Sequence, residues 1–261
     1  MRVKKMIFDM HCHTTEGSPD ASVKLEETIE RLIEKGYDGM VVTDHNSYRG
    51  YNSLSKKYSN FKVLRGVEYD SLDGGHLLII LPTNIKYEIF QYRGMLVEDV
   101  IKIVHTLGGI IGPAHPFDYG PLGICNTKWK TNLDLLNKFD FIETFNGCLD
   151  KKGSVLATCL ASHLDKPCFA GSDSHHLSKV GLVKTIINEK IENEDDLIKV
   201  VKNAKYNTFK TAGDFCERKH RKIHSFGVLI CGYGYSILNK CLSVNHNKSA
   251  HIILKKLGEK E

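Results

Sequence analysis

Met6-Ile7-Phe8-Asp9-Met10-His11-Cys12-His13 decides how this chain is read. Met6, Phe8, Met10 and Cys12 are apolar, whereas Asp9, His11 and His13 are polar. That is the period-two pattern of a β-strand, with two imidazoles on one face. Residues two apart on a strand lie about 6.5–7 Å apart on the same side, so both rings can converge on one ion. Each neutral ring carries a donor and an acceptor that need partners, and a metal satisfies the pair together. For this stretch alone, a chance pair on a partly exposed strand competes with a metal site. The rest of the chain separates the two.

The 261 residues are 41% hydrophobic and 26% charged, enough apolar material for one large domain or a domain with an appendage. The net charge of +5 is uneven. Residues 215–261 hold nine Lys/Arg against three Glu, a surplus of +6, so residues 1–214 sum to −1. Eight cysteines without C-x-x-C spacing do not form a disulfide framework, and buried free thiols act as small hydrophobes. The N-terminus has no signal-like apolar region, and no apolar run reaches about 18 residues. The expectation is a soluble, cytoplasmic protein with no membrane partner; oligomeric state is not legible.

Strand-like and helix-like segments alternate through residues 1–214. Apolar runs near 39–42, 62–64, 76–81, 110–114, 139–142, 167–171 and 182–187 read as strands. Helical stripes fall near 25–33, 51–58, 95–107, 133–138, 154–163 and 194–202. This alternation predicts a parallel α/β arrangement. The ionisable residues sit at one kind of place. His11/His13, His45, Glu68, His115 and Asp173/His175 each end a predicted strand or follow one. In a closed β/α barrel those ends form a single mouth, where such proteins build their sites. Six histidines (His11, His13, His45, His76, His115, His175) and three carboxylates (Glu68, Asp173, Asp20) exceed what one ion needs. Mixed imidazole and carboxylate suits Zn, Mn or Fe. A shared carboxylate such as Glu68 can bridge two ions, which at about 3.5–4 Å apart generate a hydroxide and clamp a phosphoryl oxygen.

Five motifs in order, Asp-Met-His-Cys-His-Thr, Val-Thr-Asp-His-Asn, Gly-Val-Glu, Gly-Pro-Ala-His-Pro and Gly-Ser-Asp-Ser-His, resemble those of the PHP (polymerase and histidinol phosphatase) family over residues 6–214. The resemblance implies a distorted seven-stranded (β/α) barrel and a metal-dependent phosphoesterase. It also implies a division of ligands. His11, His13, Glu68 and Asp173 would hold one ion, Glu68, His76 and His115 a second, and Asp20, His45 and His175 a third. Glu68, Asp173 and His115 are then the residues expected to carry catalysis, with two to three divalent ions (Zn, Mn or Fe). The loop Glu16-Gly17-Ser18-Pro19-Asp20 leaves Glu16 open as an alternative to Asp20.

Arg49 follows the His45 motif and is the first choice for a phosphate clamp. Asn146 ends a strand at the expected mouth, where it meets substrate or merely suits an Asn-Gly turn. Asp9 and Asp44 adjoin ligands and are candidates to orient them. His105, His163 and His176 read as structural or exposed. No Ser–His–Asp set or Gly-rich phosphate loop is evident, so hydrolysis by metal-activated hydroxide is the expected chemistry. The chain divides into a phosphoesterase domain, 1–214, and a basic C-terminal extension, 215–261. The expected substrate is a small phosphomonoester or nucleotide, because a barrel balance of −1 offers no polyanion track. Nucleic acid is the second choice, through 5′–3′ exonuclease action on short oligonucleotides. A non-catalytic metal-binding module, an amidohydrolase and a tail-driven nucleic-acid binder are the other rivals; an amidohydrolase usually uses a modified lysine at the bridging position, where this chain has Glu68.

Overall fold

The computed structural model describes residues 5–55, 58–85, 88–118 and 120–214, with Gly234 and Ile237 beyond them. The basic extension expected over 215–261 otherwise lies outside the described residues. Through residue 214 the main elements are β1 (Met6–Cys12), α1 (Leu25–Glu34), β2 (Gly39–Val42), α2 (Arg49–Asn52), β3 (Lys62–Arg65), β4 (Val67–Asp70) and β5 (His76–Ile80). There follow α3 (Val97–Thr106), β6 (Ile110–Pro113), α4 (Leu133–Leu136), β7 (Ile142–Asn146), α5 (Lys151–His163), β8 (Cys168–Gly171), β9 (Val183–Ile187), α6 (Glu194–Lys202) and β10 (Lys210–Gly213). The stripes near 25–33, 95–107 and 194–202 form helices as expected. Among the described residues of the segment near 51–58, Tyr51 and Asn52 close the single turn α2. No helix among the described residues is long and apolar enough to cross a membrane.

The fold is mixed α/β as expected, while the small sheets do not confirm the expected seven-stranded (β/α) barrel. Among the described residues the strands pair in three sheets, ordered β10-β9-β1-β2-β3, β4-β5-β6 and β7-β8, without a closed seven-stranded ladder. β1, β2 and β3 are mutually parallel, as are β7 and β8, but β4–β5, β5–β6, β1–β9 and β9–β10 are antiparallel. The reason lies in connection length. A parallel crossover needs about a dozen residues, and the turn from Asp70 to His76 is far shorter, so β5 doubles back as a hairpin. A single interior nevertheless draws on seven strand regions: Phe8 and Met10, Val41, Leu64, Leu78 and Ile80, Ile110, Phe141 and Phe169 pack in one buried cluster. Phe141 and Phe169 stack with centroids 4.0 Å apart. The layers share a core although the ladder is broken.

β1 also departs from strict alternation. Its register against β2 shifts between Asp9 and Cys12. Phe8 and Met10 enter the central cluster, but Cys12 packs with Leu25, Ile29 and Leu32 on the α1 side. Asp9 hydrogen-bonds with Cys12. The irregularity therefore places Asp9 with Cys12, instead of on the histidine face that alternation predicts.

Candidate metal centre

Seven chain segments deliver the ionisable side chains. β1 carries His11 one residue before its end and leads to His13, and the loop beyond supplies Asp20; His45 follows β2; β4 carries Glu68 and Asp70. His76 opens β5, and because β5 runs antiparallel to β4 its first residue lies opposite Asp70. His115 follows β6, and Asp173 and His175 follow β8. His115 and Asp173 have φ of 27° and 50°, in or near a left-handed region that residues with a Cβ seldom occupy. Such strain costs of the order of 1–3 kcal/mol and persists only where neighbours impose it. The Asp173 N–H donates to the His11 carbonyl at 2.8 Å, and the His115 N–H to Glu143 Oε2 at 2.6 Å.

The centre of the site is a convergence of lone pairs. His11 Nε2 and His13 Nε2 stand 3.0 Å apart. Glu68 Oε2 lies 3.3 and 3.2 Å from them, and Asp173 Oδ1 3.6 and 3.1 Å. The outer nitrogens identify the tautomers. His11 Nδ1 is 3.0 Å from Glu143 Oε1, a carboxylate that only accepts. His13 Nδ1 is 3.0 Å from Ser18 Oγ. That hydroxyl accepts the His45 N–H at 3.0 Å and bonds to Asp44, so it takes the His13 Nδ1–H. With both rings neutral, the two Nε2 atoms offer lone pairs, and four acceptors converge on one buried space. This donor set fits a divalent cation.

Glu68 extends the arrangement. Its second oxygen, Oε1, lies 3.0 Å from His115 Nε2 and 3.1 Å from His76 Nδ1. Its two oxygens thus serve two groups of nitrogens, the geometry of a bridging carboxylate. A third group gathers His13, His45 and His175. Asp20 Oδ2 approaches His175 Nε2 at 3.1 Å and His45 Nε2 at 3.6 Å. Glu16 turns away: its carboxylate accepts the Leu25 N–H at the start of α1, at 3.2 Å. Asp20 is therefore the loop carboxylate at the cluster. All nine residues expected as ligands meet in one contiguous site.

The electrostatics match. Burial alone disfavours charge on Glu68 and Asp173, yet His11 and neighbouring rings hold both carboxyls well below their ordinary range. Burial opposes protonation of His45 and His115, but Glu68 and adjacent carboxylates raise them to about 10 and about 9. Asp20, despite partial burial, falls to about 2 beside His175. The carboxylates create a field that calls for positive charge, supplied by protons or by metal ions.

Other residues fall in various places. Arg49 is exposed at the start of α2, and its backbone N–H donates to Ser47 Oγ at 3.2 Å. Asn146 is buried, its Nδ2 donating to Glu143 Oε2 at 3.0 Å and Asp173 Oδ2 at 3.2 Å. Asp9 accepts the Ser172 N–H at 2.8 Å, and burial raises its carboxyl to about 6. Asp44 accepts the Thr14 N–H at 2.7 Å. Neither carboxylate bonds an imidazole directly: Asp9 braces the Ser172 backbone, and Asp44 braces Thr14 and the Ser18 hydroxyl that stands behind His13. His105 pairs with Asp140 at 3.0 Å, and the exposed His176 with Ser22 at 2.6 Å. Sequence reasoning missed three groups. Asp70 Oδ1 lies 3.3 Å from His45 Nδ1 and 3.4 Å from His76 Nε2. Arg93 Nη2 is 3.6 Å from Asp70 Oδ2. Glu143 lies behind His11. Asp70, two residues past Glu68 on the same strand, and Glu143, on the strand ending at Asn146, carried a positional signal; Arg93 carried none.

Known proteins share this architecture. Endonuclease Q of Pyrococcus furiosus superposes with a TM-score of 0.63 at 18% identity, over 86% of this chain and 66% of that one. A two-domain Bacteroides vulgatus protein containing a predicted PHP-like metal-dependent phosphoesterase gives 0.57 at 16% identity, over 80% and 65%. At such identities the likeness is one of fold. In sequence, the DNA polymerase/3′–5′ exonuclease PolX of Bacillus subtilis is 32% identical over 85 residues, 26% of this chain and only 15% of that polymerase. The profile described as PHP-associated matches residues 156–206, from α5 through α6. Together these matches support a PHP-domain family for the chain. The matched segment contains β8, Asp173 and His175, so it supplies part of the site as well as part of the scaffold.

Proposed function

We propose that this PHP protein is a metal-dependent phosphoesterase acting on a small phosphomonoester or nucleotide. The observation that carries the reading is the convergence of His11 Nε2, His13 Nε2, Glu68 Oε2 and Asp173 Oδ1, with Glu68 Oε1 turned to His76 and His115. His11, His13, Glu68 and Asp173 would hold one ion, Glu68, His76 and His115 a second, and Asp20, His45 and His175 a third. Divalent ions there supply Lewis acidity, lowering the pKa of water and polarising a phosphoryl oxygen. Glu68 fixes the spacing of the first two groups. Asn146 holds Asp173 and Glu143 in place. Arg49, on the exposed turn after His45, is assigned to the substrate phosphate, with Arg93 a second cation beside Asp70.

The purified protein is expected to carry two to three Zn, Mn or Fe ions per chain by elemental analysis. Finding no more metal than in a His11→Ala/His13→Ala variant would sink the proposal. Chelation should lower the melting temperature, because ions that bind only the folded state stabilise it by mass action.

Nucleic acid is the second reading, favoured by the likeness to Endonuclease Q. The −1 balance of residues 1–214 argues against it and the +6 surplus of the tail argues for it. Turnover of a nucleoside monophosphate should exceed that of a short single-stranded oligonucleotide. It should also be unaffected when Arg218, Lys219, Arg221 and Lys222 are changed to Gln in the full chain. Faster oligonucleotide cleavage that disappears in that variant would make the protein an exonuclease.

A further inference from the structure

Glu143 stands on β7, fully buried, and belongs to none of the ligand groups. Its two oxygens face three donors. Oε1 lies 3.0 Å from His11 Nδ1. Oε2 accepts the His115 backbone N–H at 2.6 Å and the Asn146 Nδ2–H at 3.0 Å. Asn146 cannot turn to offer its oxygen instead, because Oδ1 already accepts the Cys148 N–H at 2.7 Å while Nδ2 reaches Asp173. One buried carboxylate thereby touches a ring of the first ligand group, the backbone of a second-group ligand, and the amide that holds Asp173.

We infer that Glu143 is a positioning residue that locks His11 in its Nδ1–H tautomer and so leaves Nε2 free as a metal ligand. The inference rests on the metal-centre reading above. A histidine with Nδ1 held by an acceptor keeps its proton there, and the opposite nitrogen carries the lone pair. The alternative is a strut that merely fills space between β1, β6 and β7.

The two roles predict opposite orders for two substitutions. In Glu143→Gln, one position must become an NH2. The Oε2 position faces a backbone N–H and an Asn amide that cannot reverse, so the Gln oxygen must stay there. The new NH2 then points at His11 Nδ1, which has to accept, and the ring proton moves to Nε2. That tautomer cannot ligate. A carboxylate-to-amide change that keeps shape but inverts a histidine tautomer is a known route to large functional loss. Glu143→Ala loses every one of these hydrogen bonds and opens a cavity, yet it imposes no tautomer on His11.

Zn²⁺ affinity of the full chain, measured by competition with a chromophoric chelator, should follow wild type, then Glu143→Ala, then Glu143→Gln. The loss for Gln should be about 10–100-fold, the range for removing an outer partner of a metal histidine. A strut gives the reverse order, with the near-isosteric Gln milder than Ala. An Ala variant binding zinc more weakly than Gln, or a Gln variant binding like wild type, would overturn the inference. If Glu143→Ala does not fold, ¹⁵N NMR of the zinc-free proteins decides. The His11 Nδ1–H signal should be present in wild type and absent in Glu143→Gln; its persistence in the variant would overturn the proposal. No zinc binding by wild type would remove the metal reading itself and this inference with it, an outcome distinct from the wrong order among variants.

Discussion

Glu68→Gln is expected to lower turnover of a nucleoside monophosphate or aryl phosphate by about 10²–10³-fold, the loss typical of removing a dominant preorganised electrostatic contribution. Glu68 is 1% exposed, and each of its oxygens meets a different group of nitrogens: Oε2 meets His11 and His13, Oε1 meets His76 and His115. An amide of the same shape removes the charge from both groups and sets an NH2 against one of them. Metal content should fall together with turnover, whereas far-UV circular dichroism should report a retained fold. A variant with full turnover would show that Glu68 is not the shared carboxylate, and the two-group reading would fail.

Much of this site was legible because strand ends are legible. A short apolar run followed by a His, Asp or Glu states where a strand stops and what it presents, and five such endings needed only a common mouth. The exact pairing was not legible. Alternating segments suggested a parallel barrel, but Asp73-Gly74-Gly75 leaves too short a span for a crossover, and β5 turned back. That reversal brings His76, at the start of a strand, to the same mouth as residues that end theirs. Nor does periodicity register a shift such as that between Asp9 and Cys12, which moved Asp9 away from the histidines. Glu143 illustrates the remaining gap. Its neighbours His11 and His115 are 132 and 28 residues away in sequence, so only the packed structure discloses that one carboxylate supports both.

Gly171→Ala is expected to be among the most damaging single-methyl additions in the chain, through geometry at the centre itself. A Cβ at position 171 would stand 2.1 Å from His11 Cβ, 2.7 Å from His11 N and 2.8 Å from His11 Cα. These are backbone and stem atoms that cannot swing aside, so β8 must withdraw from β1. Overpacking of this kind costs typically about 1–3 kcal/mol, and for a chain of this size each kcal/mol lowers the melting temperature by about 2–4 °C. The withdrawal also pulls Asp173 from His11, because the Asp173 N–H bonds to the His11 carbonyl at 2.8 Å. Stability and zinc affinity should therefore fall together. Gly36→Ala supplies the contrast. Gly36 has φ +76° and nothing within 4 Å of an added Cβ, so its substitution brings only left-handed strain of about 1–2 kcal/mol. It should lower the melting temperature without changing zinc affinity. A Gly171→Ala variant that melts lower but binds zinc like wild type would mean that the β1–β8 approach holds the fold together without setting the distance between His11 and Asp173.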